Sequence, residues 1–192
     1  MKEPNWNNQI EQAILKLHQG NAAYAAGNKS DADISQLRRE DTAASGQKPY
    51  AVIVTCSDSR VPPEHIFSAG VGDLFVVRTA GNVIGDFELG SIEYGVEHLG
   101  AKVVVILGHS GCGAVSAAMS GHAGGYIESI VNEIKPGIAG AGDAPQAERL
   151  NIEHSYNQAM KSQVIKELVD SGGIALVQAK YDIHTGKVEF FE

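Results

Sequence analysis

Near the amino terminus, Trp6, Ile10, Ala13, Ile14 and Leu17 recur at spacings of three and four, which predicts an amphipathic helix with one apolar face. Such a face needs a cover. Residues 30–46 are polar and run into Gly46 and Pro49, so no core element is expected there. Three short runs rich in branched apolar residues follow, at 50–55, 74–77 and 103–107. None of them alternates polar with apolar positions. That is the pattern of strands covered on both faces, and it predicts a parallel sheet. A parallel pair needs a crossover, and residues 86–99 supply one, with Leu89, Ile92, Val96 and Leu99 in a helical stripe. Further helices are expected at 113–119, at 126–135 before Pro136, and at 146–169, where Ser171, Gly172 and Gly173 end the run. Residues 137–145 read as a loop, and 174–181 with 187–191 as a terminal strand pair turning through Asp182-Ile-His-Thr-Gly186.

The predicted fold is therefore α/β: a single domain with a mainly parallel central sheet flanked by helices, an N-terminal helical arm and a terminal antiparallel strand. The domain is taken as residues 1–192, with 1–46 as arm and polar segment and 47–192 as the α/β core. Composition agrees with a globular chain, since 43% of the 192 residues are apolar and 20% are charged. The 15 basic residues against 23 acidic ones leave a net charge of −8 and no basic stripe, which argues against a nucleic-acid partner. No apolar run approaches the roughly 20 residues of a membrane span, and the first twenty residues lack the pattern of an export signal. No membrane partner and a cytoplasmic location are the expectations.

In a reducing compartment, the two cysteines, Cys56 and Cys112, are better read as buried apolar residues, metal ligands or catalysts than as a disulfide. Both fall just past the carboxyl ends of apolar runs, where open parallel sheets collect their ligands. Cys56 opens the sequence Cys56-Ser-Asp-Ser-Arg60, and Cys112 lies in His109-Ser-Gly-Cys-Gly113. The spacing of His109 and Cys112 lets both side chains converge on one centre, and Cys56 offers a third donor. Two thiolates and an imidazole suit zinc, and three protein ligands leave the fourth position that catalytic zinc keeps open. Asp58 and Arg60 are close enough for a bidentate pair that keeps the carboxylate anionic. Two rivals are weaker. A dinucleotide-binding turn at 108–113 has Ser116 where its third glycine belongs, and a thiol enzyme would need His109 to activate Cys112 rather than share a metal with it.

The two motifs together resemble the zinc site of the β-class carbonic anhydrases, and the resemblance extends over residues 50–119 and again over 181–186. It implies zinc-dependent reversible hydration of carbon dioxide to bicarbonate and a proton, a lyase activity, with one zinc ion per chain held by Cys56, His109 and Cys112. It also implies that Asp58 and Arg60 orient the attacking water and that Gln47 steadies bicarbonate. Phe75, Ala80, Tyr94 and Gly113 are the implied pocket residues, with Ala80 standing where many members carry a larger branched residue. The family is built from dimers in which the Gln47-like and aromatic residues reach across the interface and an N-terminal helix wraps the neighbour, so a homodimer or a dimer-based oligomer is expected. Some bacterial relatives bind an inhibitory bicarbonate through a tryptophan three residues before the first ligand; Ile53 stands there, so that site is not expected. His65, His98, His122, His154 and His184 are all candidates to carry a proton away. The alternatives within this resemblance are a zinc hydrolase acting on carbon disulfide or carbonyl sulfide, and a non-catalytic zinc protein.

Overall fold

The apolar runs become adjacent strands in the computed structural model, which describes residues 7–28, 30–121 and 123–191. They are β1 (Ala51–Cys56), β2 (Leu74–Thr79) and β3 (Val103–His109), joined by β4 (Ala175–Tyr181) and β5 (Val188–Phe191). The sheet order is β2-β1-β3-β4-β5, parallel except for the final antiparallel pair. This is the α/β class that the hydrophobic pattern predicts.

The absence of polar alternation has a direct cause. Along β1, Ala51 and Ile53 enter one core while Val52 and Val54 enter the other; β3 divides Val103, Val105 and Leu107 from Val104 and Ile106 in the same way. Every residue of both strands is buried, as expected for strands covered by helices on each face. The chain leaves β1 for β2 on one side and later sets β3 on the other, so the carboxyl ends of β1 and β3 flank a point where strand order reverses. A crevice opens at such a point.

Helices α1 (Asn8–Ala25) and α3 (Pro63–Ile66) cover one face, with α2 (Gln36–Ser45) lying between them in sequence. The other face is covered by α4 (Asp86–Glu93), α7 (Ala144–Ala159) and α8 (Gln163–Asp170), while α5 (Gly113–Ser120) and α6 (Ile127–Gly137) pack near the carboxyl edge around Cys56 and Cys112.

Several expectations need correction. The apolar face of α1 is covered by the chain itself: Ile10 and Leu17 are fully buried against β1 and β3, so that face is not left for a neighbouring copy. Trp6 lies outside the described residues. The polar stretch before Gly46 contains a helix, α2, which buries no residue: Ser35 caps it locally, and Arg38 ties it to the Val71 carbonyl and Asp73. The helix expected over 146–169 is two helices, because the Ser162 hydroxyl accepts from Ile165 N–H and starts a new one. Pro136 does not stop α6, which carries it in its last turn. The helix expected to reach Leu99 widens into a π-turn at Tyr94–His98, where Gly95 lies so close to β1 that a Cβ would come within 2.6 Å of Val52. No described helix is long and apolar enough to cross a membrane.

Candidate metal centre

Two tight turns at the carboxyl edge build the site. The first leaves β1 at Cys56, and its backbone folds back so that Asp58 N–H donates to the Cys56 sulfur at 3.4 Å. The second leaves β3 at His109 and enters α5 at Cys112, the residue that caps that helix. Because β1 and β3 are neighbours, the turns face each other. One ligand atom from each of Cys56, His109 and Cys112 lies within 4.8 Å of the other two, and all three residues are buried.

The electrostatics of this trio suits a positive charge at its centre. Both thiols are free. The Cys112 thiol beside Cys56 lowers its pKa, while Cys56 in turn raises that of Cys112, with burial adding to the rise. Two thiols that close are stable with one proton between them, or with a positive charge beside both. Each sulfur is also prepared as an acceptor. Cys56 receives N–H bonds from Asp58 and from Gly81, the latter at 3.2 Å, and Cys112 sits over the first N–H groups of α5. His109 Nδ1 lies 3.0 Å from the Ser110 carbonyl, so the proton sits on Nδ1 and the Nε2 lone pair points inward. That Nε2 is buried with no hydrogen-bond partner. Burial opposes protonation of the ring, but the Cys56 sulfur and the Ser110 carbonyl outweigh it and leave the His109 pKa raised. A buried, orphaned imidazole nitrogen beside two thiols fits a soft divalent ion.

Asp58 and Arg60 form the fork expected of them. Arg60 Nε and Nη2 reach the two carboxylate oxygens at 3.0 and 2.7 Å, and the Arg60 N–H adds a third bond at 2.9 Å. These bonds, led by the guanidinium, hold the Asp58 carboxyl down to about 2. The Asp58 carboxylate lies 4.0 Å from His109 Nε2, at the rim of the trio. Arg60 also bonds the Gly111 carbonyl at 3.2 Å, which ties the first turn to the second.

The remaining sequence-picked residues divide between the two edges of the sheet. Ala80 follows β2 directly and neighbours Gly81, and Gly113 opens α5 beside Cys112; both stand at the carboxyl edge. Gln47, Phe75 and Tyr94 do not. Gln47 is exposed and precedes β1, Phe75 pairs in register with Val52, and Tyr94 stacks 6.0 Å from Phe75 at the amino edge. From Val52 to Cys56 the strand climbs about 13 Å. Within one chain these three residues do not reach the trio. Of the other histidines, His98 stacks on Tyr94, His154 bonds Glu133, and His122 lies outside the described residues.

Sequence reasoning missed three supports. Arg78 bonds the carbonyls of Cys56 and Asp58 at 3.1 and 2.7 Å. Glu148, 6% exposed, accepts from Gly111 N–H at 2.6 Å and pairs with Lys180 at 2.7 Å. Asn151 donates to the Gly81 carbonyl at 2.8 Å. One signal was present: Glu148, Asn151 and Ser155 fall in phase with the buried Ile152 and Ala159 of α7, where polar residues are out of place unless they answer something.

Comparison with known proteins gives a consistent answer. A family model described as carbonic anhydrase matches residues 51–188. Carbonic anhydrase 2 of Mycobacterium tuberculosis is 38% identical over 182 residues, which cover 89% of this chain and 87% of that protein. A carbonic anhydrase of Mycolicibacterium smegmatis is 36% identical over 184 residues, 90% of this chain and 89% of its own. Among solved structures, a β-carbonic anhydrase of Sordaria macrospora, described as tetrameric, superposes with a TM-score of 0.73 at 26% identity, over 96% of this chain and 98% of that one.

Proposed function

The chain belongs to the β-class carbonic anhydrase family, and on that premise we propose that it catalyses the reversible hydration of carbon dioxide to bicarbonate and a proton, using one zinc ion per chain. The observation that carries this reading is the convergence of two buried thiols and an unpartnered imidazole nitrogen at one point. Cys56, His109 and Cys112 are the residues to hold zinc, since a nitrogen-and-sulfur set of three leaves one position for the chemistry. Bound there, zinc supplies Lewis acidity that lowers the pKa of water from about 15.7 toward about 7.

The side chains do the rest. Asp58, kept anionic by Arg60, is an acceptor only; it takes a hydrogen bond from the attacking water and so turns a lone pair toward the carbon. Gln47 donates its amide N–H to the oxygen on which negative charge develops. Because Gln47 stands a strand's length from its own Cys56, that donor comes from a second copy of the chain, together with Phe75 and Tyr94 as apolar lining. Ala80 and Gly113 line the pocket from the same chain as the ligands, and their small size leaves room for a linear three-atom substrate. A homodimer, or an oligomer built from dimers, follows from this division of labour. The whole of 1–192 then acts as one unit, with 47–192 as zinc-binding core and 1–46 as arm.

Stopped-flow carbon dioxide hydration across a pH series, on the parent and on Asp58→Asn, tests the reading. The parent is expected to exceed the uncatalysed rate by orders of magnitude, and Asp58→Asn to lose about a hundredfold with zinc content unchanged. A parent indistinguishable from the uncatalysed rate at every pH overturns it.

A further inference from the structure

Helix α7 contributes none of the groups named above to ligation or to substrate, yet its buried face carries Glu148, Asn151 and Ser155, which are 6%, 1% and 1% exposed. Residues spaced three and four apart share one side of a helix, and here that side faces both cysteine turns. Glu148 Oε1 accepts from Gly111 N–H at 2.6 Å and from Cys112 N–H at 3.4 Å, so it grips the backbone that carries the second thiol. Its other oxygen is anchored by Lys180 of β4 at 2.7 Å. One turn further along, Asn151 Nδ2 donates to the Gly81 carbonyl at 2.8 Å, and the Gly81 N–H in turn donates to the Cys56 sulfur at 3.2 Å. The peptide in between is held in an unusual shape, with Gly81 and Asn82 both at positive φ. Asn82 is locked by reciprocal bonds with Ser155, at 2.9 and 3.1 Å.

Packing alone does not explain these residues. Asn151 Oδ1 is buried with no partner, an unfavourable arrangement that leucine would avoid, and Glu148 is a carboxylate in a nearly closed site. What Asn151 and Glu148 share is that each reaches the surroundings of a different cysteine through a single glycine, Gly81 or Gly111. We propose that α7 is the positioning element of the metal centre, with Glu148 and Asn151 setting the separation of the Cys112 and Cys56 sulfurs and thereby the affinity for the ion. The inference rests on the zinc reading of the trio.

The test is metal affinity, read apart from activity. The metal-free parent, Glu148→Ala, Glu148→Gln, Asn151→Ser and Gln158→Ala are titrated with cobalt(II), and the thiolate-to-cobalt charge-transfer absorption is followed against a competing chelator. Groups that orient metal ligands are worth about tenfold to a hundredfold in affinity, and a loss of that size is expected for Glu148→Ala and Asn151→Ser. Glu148→Gln keeps an oxygen for Gly111 and is expected to recover most of the loss. Gln158→Ala, on the same helix but bonded to Glu133 and His154, is expected to bind as the parent does. Circular dichroism of the metal-free proteins confirms that each variant compared is folded; should Glu148→Ala fail to fold, Asn151→Ser decides. Folded variants that match the parent in affinity and in absorption overturn the inference and leave the zinc reading intact. A parent that develops no thiolate absorption overturns the zinc reading, and this inference with it.

Discussion

At the carboxyl edge of the sheet most polar groups are answered within the chain, Asp58 by Arg60, the Cys56 sulfur by two N–H groups and Glu148 by Gly111 and Lys180, while His109 Nε2 is left without a partner among them. The amino edge is left open, with Gln47 exposed and Tyr94 47% exposed beside Phe75. Both edges carry residues that the family resemblance assigns to one reaction. The difference separates two tasks. Holding an ion demands donors fixed to a fraction of an ångström, and one chain supplies them from two adjoining strand ends. Enclosing a small neutral molecule demands only walls and a donor, and those can arrive on another molecule.

The largest expected effect lies at the closed edge. Cys56→Ser or Cys112→Ser removes a thiolate that a hydroxyl does not replace, so zinc content by atomic absorption and hydration activity should both fall to background. Gln47→Ala strikes the open edge: activity should drop by about a hundredfold, the usual worth of one donor to a developing negative charge, while zinc content stays at the parent value. The two variants together test whether the edges of different copies meet. In a hybrid dimer of Cys56→Ser with Gln47→Ala, the proposed site predicts that the chain keeping its zinc ligands would borrow Gln47 from the other. Co-expression should therefore restore about a quarter of the parent activity under random pairing. No recovery in a verified hybrid breaks the comparison.

Two smaller changes sharpen it. At Gly108, α7 comes so near β3 that a Cβ would lie 2.4 Å from Ile152. Gly108→Ala should cost about 1–3 kcal/mol in chemical denaturation by pushing α7 off the sheet. Gly113, by contrast, has no atom within 4 Å of where a Cβ would stand. Gly113→Ala should leave stability unchanged or raise it by about 0.5 kcal/mol. A lower hydration rate in that variant then measures the space the substrate needs.

Much of this division was legible in the sequence, for physical reasons. Fully buried strands announce themselves because both faces must be apolar, so the three runs and the carboxyl-edge positions of Cys56 and His109 could be read directly. The amphipathic stripe of α1 was legible too, but not its destination, since a stripe records that a face is covered and not by which molecule. Helix α2 was illegible because nothing in it is buried; beyond its local Ser35 cap, Arg38 holds it through contacts that exist only after residues 71–73 arrive. The break between α7 and α8 depends on one serine acting as a cap, a role that the residue also declines in many helices. Asp58 and Arg60 were found because they are local to Cys56. Glu148 and Asn151 were not, because they act through Gly111 and Gly81 from a distant part of the chain, and a polar residue on a helix reads by default as solvated.

The strand order also governs when the centre comes into existence during synthesis. His109 and Cys112 emerge together and can grip an ion as a two-point chelate at once, but Cys56 joins them only when β3 docks beside β1, after β2 has been made and folded back. On the zinc reading proposed above, a nascent chain would hold the ion weakly, and tight loading would wait for the seam between those two strands to close. Metal uptake would then be a clock for sheet assembly, and a pulse of isotopically labelled zinc given during translation should enter finished chains rather than growing ones.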